Sequence, residues 1–215
     1  MLGERRGNRK VRAVSLDDGS ELPCDTLIIA IGVQPRLAAV TGTGLATQRG
    51  IIVDRRMATS HPEVYACGDV AEAYDLIAGG NRVTPIWPNA YVGGRIAGFN
   101  MAGREAIYEG GMAMNSLHYF GLSVMSAGIV DPPAGDGTYQ ILRREDVARG
   151  IYKKIVLHHD RLVGMIFAGD IDRAGIVFGL MRSGTPVGAF RDRLLGDDLG
   201  LLSLPRELRQ SLMTT

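Results

Sequence analysis

Residues 26–31 read Thr-Leu-Ile-Ile-Ala-Ile, and Gly32 closes the run. It is too short for a helix and shows no polar alternation. Such a run is expected to be a fully buried strand, apolar on both faces and central in a sheet. Gly32, Gln34 and Pro35 end it. The segment before it reads as a hairpin. "KVRAVSL" leads into "DDGS", a turn centred on Asp18-Gly19, and "ELPCDTLIIAIG" returns. A strand of this kind needs cover on both sides, which makes an α/β architecture the starting expectation.

Further short strands follow at "GIIVD" (50–54) and at Val64–Cys67 in "HPEVYACGD". Gly68-Asp69 stands where that second strand stops, and Val70 onward reads as a helix start. Glycine there permits a sharp bend and close ligand approach. Asp69 can accept hydrogen bonds from a polyol hydroxyl, and a helix opening at Val70 would attract phosphate. An N-cap is the competing reading of Asp69. A Gly-rich loop is expected at 78–82. A helix is expected over "WPNAYVGGRIAGFNMAG", with Pro88 in its first turn. Its small face, Ala90, Gly93, Gly94, Ala97, Gly98 and Ala102, would allow close packing on a neighbour.

"YEGGMAM" (108–114) reads as a boundary, dividing the chain into segments 1–110 and 111–215. The second segment reads as three or four antiparallel strands followed by helices. The strands are "GLSVMSAGIV", "TYQILRRE" and a hairpin that turns at His159-Asp160-Arg161. "DPPAGDG" (131–137) reads as a surface loop. A helix with Ile176, Val177, Leu180 and Met181 on one face stops at Gly184. Short helices are expected at 186–195 and 205–213.

With 24 basic and 23 acidic residues the net charge is +1, which argues against a nucleic-acid binder. The one dense basic run, Arg5, Arg6, Arg9, Lys10 and Arg12, reads as a solvated segment. The 29 glycines are nearly double the usual share of about 7% and point to many tight turns. Cys24 and Cys67 lie in strand-like runs without a CxxC, so buried free thiols and a reducing, cytoplasmic setting are expected. No apolar run reaches about 18 residues and no charged-then-apolar leader opens the chain, so neither a membrane span nor a signal peptide is expected. His158-His159-Asp160 at a hairpin tip reads as solvated, His118 as a satisfied histidine, and no metal site is expected. Gly169-Asp170 precedes a helix, and Asp170 reads as its N-cap.

Four blocks in order, "TLIIAIGVQPR", "GIIVD", "MATSHPEVYACGDVAEA" and "WPNAYVGGRIAGFNMAG", together resemble the FAD-binding pyridine nucleotide–disulfide oxidoreductases. The likeness is to the branch of rubredoxin reductases, NADH oxidases and the flavin part of nitrite reductases. "KKIVLHHDRLVGMIFAGDIDRAGIVFGLMRSG" is similar to that branch's C-terminal domain. The resemblance implies an α/β segment of a Rossmann-like FAD/NAD(P)-binding domain followed by an α+β, dimerisation-type domain. It implies that Asp69, beside the open backbone of Gly68, holds a ribityl hydroxyl of FAD, that the helix from Val70 faces the pyrophosphate, and that Gly32 lets the dinucleotide approach. Trp87, Pro88 and Asn89 would lie at the pyrimidine edge of the flavin, where donors stabilise reduced flavin. For Trp87 a packed core position is the alternative.

No GxGxxG is present. "GTGLAT" (42–47) has Thr47 at the third glycine position and reads as a loop. His61 and Glu63 have the wrong place and spacing for a glutathione-reductase-like pair. The expectation is therefore the C-terminal part of an FAD-dependent NAD(P)H oxidoreductase. In that enzyme hydride passes from NAD(P)H to flavin N5 and electrons pass to an acceptor that the sequence does not specify. This chain would hold no catalytic residue and no nicotinamide site, and would be inactive alone. The rival expectation is a non-catalytic dimerisation module that has lost flavin. The apolar run 26–31 calls for cover from an N-terminal half or from a second copy.

Overall fold

The computed structural model describes residues 10–206, 208 and 209. By compactness the chain separates into two units, one ending at Gln34 and one from Pro35 onward. In the first unit, β1 (Ala13–Ser15) and β2 (Glu21–Pro23) form the expected hairpin, shorter than its sequence pattern. Asp18 Oδ1 accepts from the Ser20 amide at 2.9 Å and Gly19 has φ of +82°, so the turn is built as its residues require.

The run Thr26–Ile31 departs from expectation. It joins no sheet among the described residues, and Leu27, Ile28, Ile29 and Ile31 are 45%, 85%, 58% and 85% exposed. Apolar composition makes a strand seek partners but does not supply them. Cys24 and Cys67 likewise lie outside strands and are half-buried free thiols.

In the second unit, β3 (Ile51–Ile52) pairs in parallel with β4 (Ala71–Asp75), which pairs antiparallel with β5 (Gly80–Arg82). This corrects two expectations. Val64–Cys67 forms only an isolated bridge, Ala58 to Tyr65. Asp69 is followed by a strand and not a helix. Gly68–Val70 is a single 3-10 turn, and the chain then runs straight into β4. Long-range pairing decides this. Glu72, 5% exposed, turns its carboxylate onto the Arg49 and Gly50 amides, both at 2.9 Å, and locks β4 beside β3. The expected loop at 78–82 is mostly the hairpin into β5.

Helix α1 (Trp87–Met101) covers this sheet, burying Ile96 and Ala97 among Ile51, Val53, Met57, Ala66 and Tyr108. Of its small residues, Gly93 and Gly94 make the close approach. A Cβ on Gly93 would lie 3.1 Å from Met57 Cε, and one on Gly94 3.7 Å from Cys67 Sγ. Gly98 faces open space. Segment 104–112 is held by hydrogen bonds on both sides. Asn100 Nδ2 donates to the Arg56, Ile96 and Ala106 carbonyls, Arg55 donates to the Tyr108 and Glu109 carbonyls, and Gly111 bridges Asp75 in parallel.

The chain then builds an antiparallel sheet of β6 (Met114–Tyr119), β7 (Leu122–Gly128), β8 (Tyr139–Asp146), β9 (Ile151–His158) and β10 (Arg161–Ala168), ordered β6-β7-β10-β9-β8. The sequence pattern missed β6, because polar Asn115, Ser116 and His118 mask it. The β9–β10 hairpin turns where expected, with His159 and Asp160 at φ +45° and +64°, as a two-residue primed turn requires. Helix α2 (Ala174–Arg182) lays Val177, Leu180 and Met181 on Ile155, Met165 and Phe167. It ends at Gly184 in a Schellman motif. The Thr185 amide bonds Leu180 O and the Gly184 amide bonds Met181 O.

Asp170 is not the N-cap. Arg173 holds that position, while Asp170 pairs with Lys153 Nζ at 2.7 Å. The region expected as a helix at 186–195 is a 3-10 segment, Gly188–Arg193. Arg206, Leu208 and Arg209 are helical, and the rest of the helix expected to end at 213 lies outside the described residues.

Candidate functional site

The structure brings two of the expected clusters together. The corner Cys67-Gly68 sits beneath the start of α1, with Gly68 at φ +77° and a would-be Cβ meeting only Ala90 Cβ, at 3.9 Å. Any other residue would be strained there, and the backbone stays open to close approach. Asp69 is exposed and makes no ion pair among the described residues. Val70 closes the 3-10 turn and opens no helix.

Helix α1 supplies the helix N-terminus at this corner. Ile86, extended at φ −135°, precedes it and no side chain caps it. Pro88 at the second helical position has no N–H to satisfy, which leaves the amides of Trp87 and Asn89 at the N-terminal end. Trp87 is 77% exposed and stacks on Tyr91, ring centroids 5.6 Å apart, so its packed-core reading is overturned. The Asn89 side chain turns inward, its Nδ2 donating to Thr84 O and Met112 O, both at 3.4 Å. Gly32 keeps a positive φ of +91° but belongs to the other unit.

A small cavity behind the corner is lined by Gly68, Ala71, Arg82, Thr84, Asn89 and Tyr108. Tyr108, Thr84 and Arg82 were missed in sequence, where only their distance from the motifs was visible. Burial, and then the charge of Asp75, pushes the Tyr108 phenol above its ordinary range, so it stays a neutral donor. The site joins an open glycine corner, a free carboxylate and an uncapped helix start. That combination can accept hydroxyls and receive negative charge.

Two family models match in succession. "Pyridine nucleotide-disulphide oxidoreductase" matches residues 2–94, and "Rubredoxin NAD+ reductase C-terminal domain" matches 114–185. The chain belongs to the pyridine nucleotide–disulphide oxidoreductase family. This oxidoreductase-family chain is 30% identical over 191 residues to the epsilon subunit of NADH-dependent phenylglyoxylate dehydrogenase from Aromatoleum evansii, covering 87% of the chain and 44% of that subunit. It is similar to the NAD-dependent persulfide reductase of A. fulgidus, with 25% identity and a TM-score of 0.72, covering 87% of the chain and 37% of that structure. It is also similar to NADH:rubredoxin oxidoreductase from Clostridium acetobutylicum, with 28% identity and a TM-score of 0.57, covering 74% and 39%. The chain spans less than half the length of these relatives. The Rossmann-like segment and C-terminal sheet domain expected of the family are its fold class. Among the described residues no helix is long and apolar enough to cross a membrane.

Proposed function

We propose that the chain is the C-terminal part of an FAD-dependent NAD(P)H oxidoreductase. It would supply the ribityl and flavin-edge side of the FAD site and the C-terminal domain. The observation that carries this reading is the uncapped start of α1 set against the open Gly68 corner beside the exposed Asp69. Asp69 accepts from a ribityl hydroxyl. The backbones of Gly68 and Val70 allow close approach, and the first turn of α1, Trp87-Pro88-Asn89, points its dipole at the flavin edge. Gly32, at φ +91°, leaves its own backbone open to a dinucleotide's close approach.

The chemistry FAD supplies when bound is two-electron oxidation of NAD(P)H. This chain's own residues bind and orient it and stabilise negative charge at the flavin edge. The adenosine and nicotinamide ends call for GxGxxG units, and the 215 residues contain none. The chain alone is therefore inactive in this reading. The two segments, 1–110 and 111–215, would be the FAD-domain segment and the C-terminal domain. A second copy or an N-terminal half is the partner. The similarity to an NADH:rubredoxin oxidoreductase supports NADH as donor and a small redox protein as acceptor. Two free half-buried thiols fit a cytoplasmic setting.

The test is titration of the purified chain with FAD, alone and with an N-terminal half from a full-length relative, followed by absorbance at about 450 nm. Binding is expected, and Asp69→Ala should weaken it about tenfold by removing a charge-assisted hydrogen bond. If neither mixture binds flavin, the chain is a dimerisation module and the oxidoreductase reading fails.

A further inference from the structure

The Asn89 side chain is committed away from any ligand. Its Nδ2 is shared between Thr84 O, just before α1, and Met112 O, on the crossover into the five-stranded sheet. Beneath it, Gly111 is pressed so close that a Cβ would stand 2.8 Å from Asn89 Nδ2. Gly111 is itself fixed to β4, its amide on Tyr74 O at 2.9 Å and its carbonyl taking the Leu76 amide at 2.8 Å. The first turn of α1 is thus tied through one amide group to the segment that carries the chain from one sheet to the other. At its far end α1 is held independently by Asn100.

We propose that Asn89 is a positioning residue that sets the start of α1 against the Gly68 corner by clasping Thr84 O and Met112 O. This deepens the cofactor reading above and rests on it for the consequence at the flavin edge. The clasp makes a prediction that ordinary helix behaviour does not. Asn89 is the third residue of α1, where a carboxylate normally stabilises a helix. In a clasp, Asn89→Asp removes the donor and sets a carboxylate against two carbonyl oxygens.

The experiment compares amide hydrogen exchange in wild type, Asn89→Ala and Asn89→Asp. Both variants should speed exchange of the first hydrogen-bonded amides of α1, Ala90 to Val92, by about tenfold while leaving the last turn near Phe99 unchanged. First-turn exchange that is unchanged or slower in Asn89→Asp overturns the clasp. FAD titration is the second readout. Where wild type binds FAD, both variants should raise the dissociation constant about tenfold, which a structural role alone would not move. Equal FAD affinity despite faster first-turn exchange overturns the positioning role. If wild type binds no FAD, the cofactor reading falls, and the exchange comparison alone decides for or against the clasp.

Discussion

Two polar atoms occupy the space that a Cβ on Gly111 would need, Tyr108 Oη at 2.5 Å and Asn89 Nδ2 at 2.8 Å. Gly111→Ala should therefore push the crossover off β4 and cost about 1–3 kcal/mol, read as a lower urea midpoint. An unchanged midpoint would show that the crossover yields freely. Lys153 presents the opposite case, a long cation 1% exposed inside the second sheet's core, held by Asp170 at 2.7 Å with Asp197 at 3.7 Å. Asp170→Asn strands that ammonium and should cost about 3 kcal/mol, while replacing the pair together by Lys153→Met and Asp170→Leu should recover most of the loss. If the double variant is no more stable than the single one, the pair is not what Asp170 contributes. Asp170 shows why residue roles were hard to read. Gly-Asp before a helix has the same local pattern whether the acid caps the helix or pairs with a lysine 17 positions away.

Elements with local stop signals were the legible ones. The β9–β10 turn and the end of α2 needed only neighbours in sequence, and both lie where the pattern placed them. Gly184→Ala at φ +60°, with Arg161 Nη1 3.0 Å from the new methyl, should cost about 1 kcal/mol in thermal unfolding. β4 was not legible, because its partner β3 lies 20 residues upstream and its register is held by buried Glu72. The loop from Leu194 to Leu199 is tied to the second sheet by charge. Arg144 holds the Asp197 carboxyl below the usual carboxylate range, and Lys153 does the same for Asp170. Both folded values are depressed, so their stabilisation is complete above the unfolded carboxylate value near 3.9 and is lost as pH falls through the folded values. Stability should stay level from about pH 7 to 5 and decline below about 4, and Asp170→Asn should flatten that decline. An acid profile unaltered by this substitution would contradict the assignment.

At the scale of the molecule, the first unit carries the exposed run Leu27–Val33, with Ile28 and Ile31 both 85% exposed. A monomer rarely leaves such a surface open. Light scattering at micromolar concentration should show self-association, and Ile28→Lys with Ile31→Lys should reduce it. A monodisperse wild-type monomer would count against this. The sequence by itself determined the family blocks, the α1 and α2 helices and the tight hairpins, because each rests on local periodicity, turn chemistry or composition. The tertiary structure alone decided that Gly68-Asp69 leads into a strand, that α1 provides the helix N-terminus at that corner, and that Asn89 and Gly111 tie the helix start to the crossover segment and β4. Those outcomes depend on hydrogen bonds between residues some 20 or more positions apart, which no local pattern encodes.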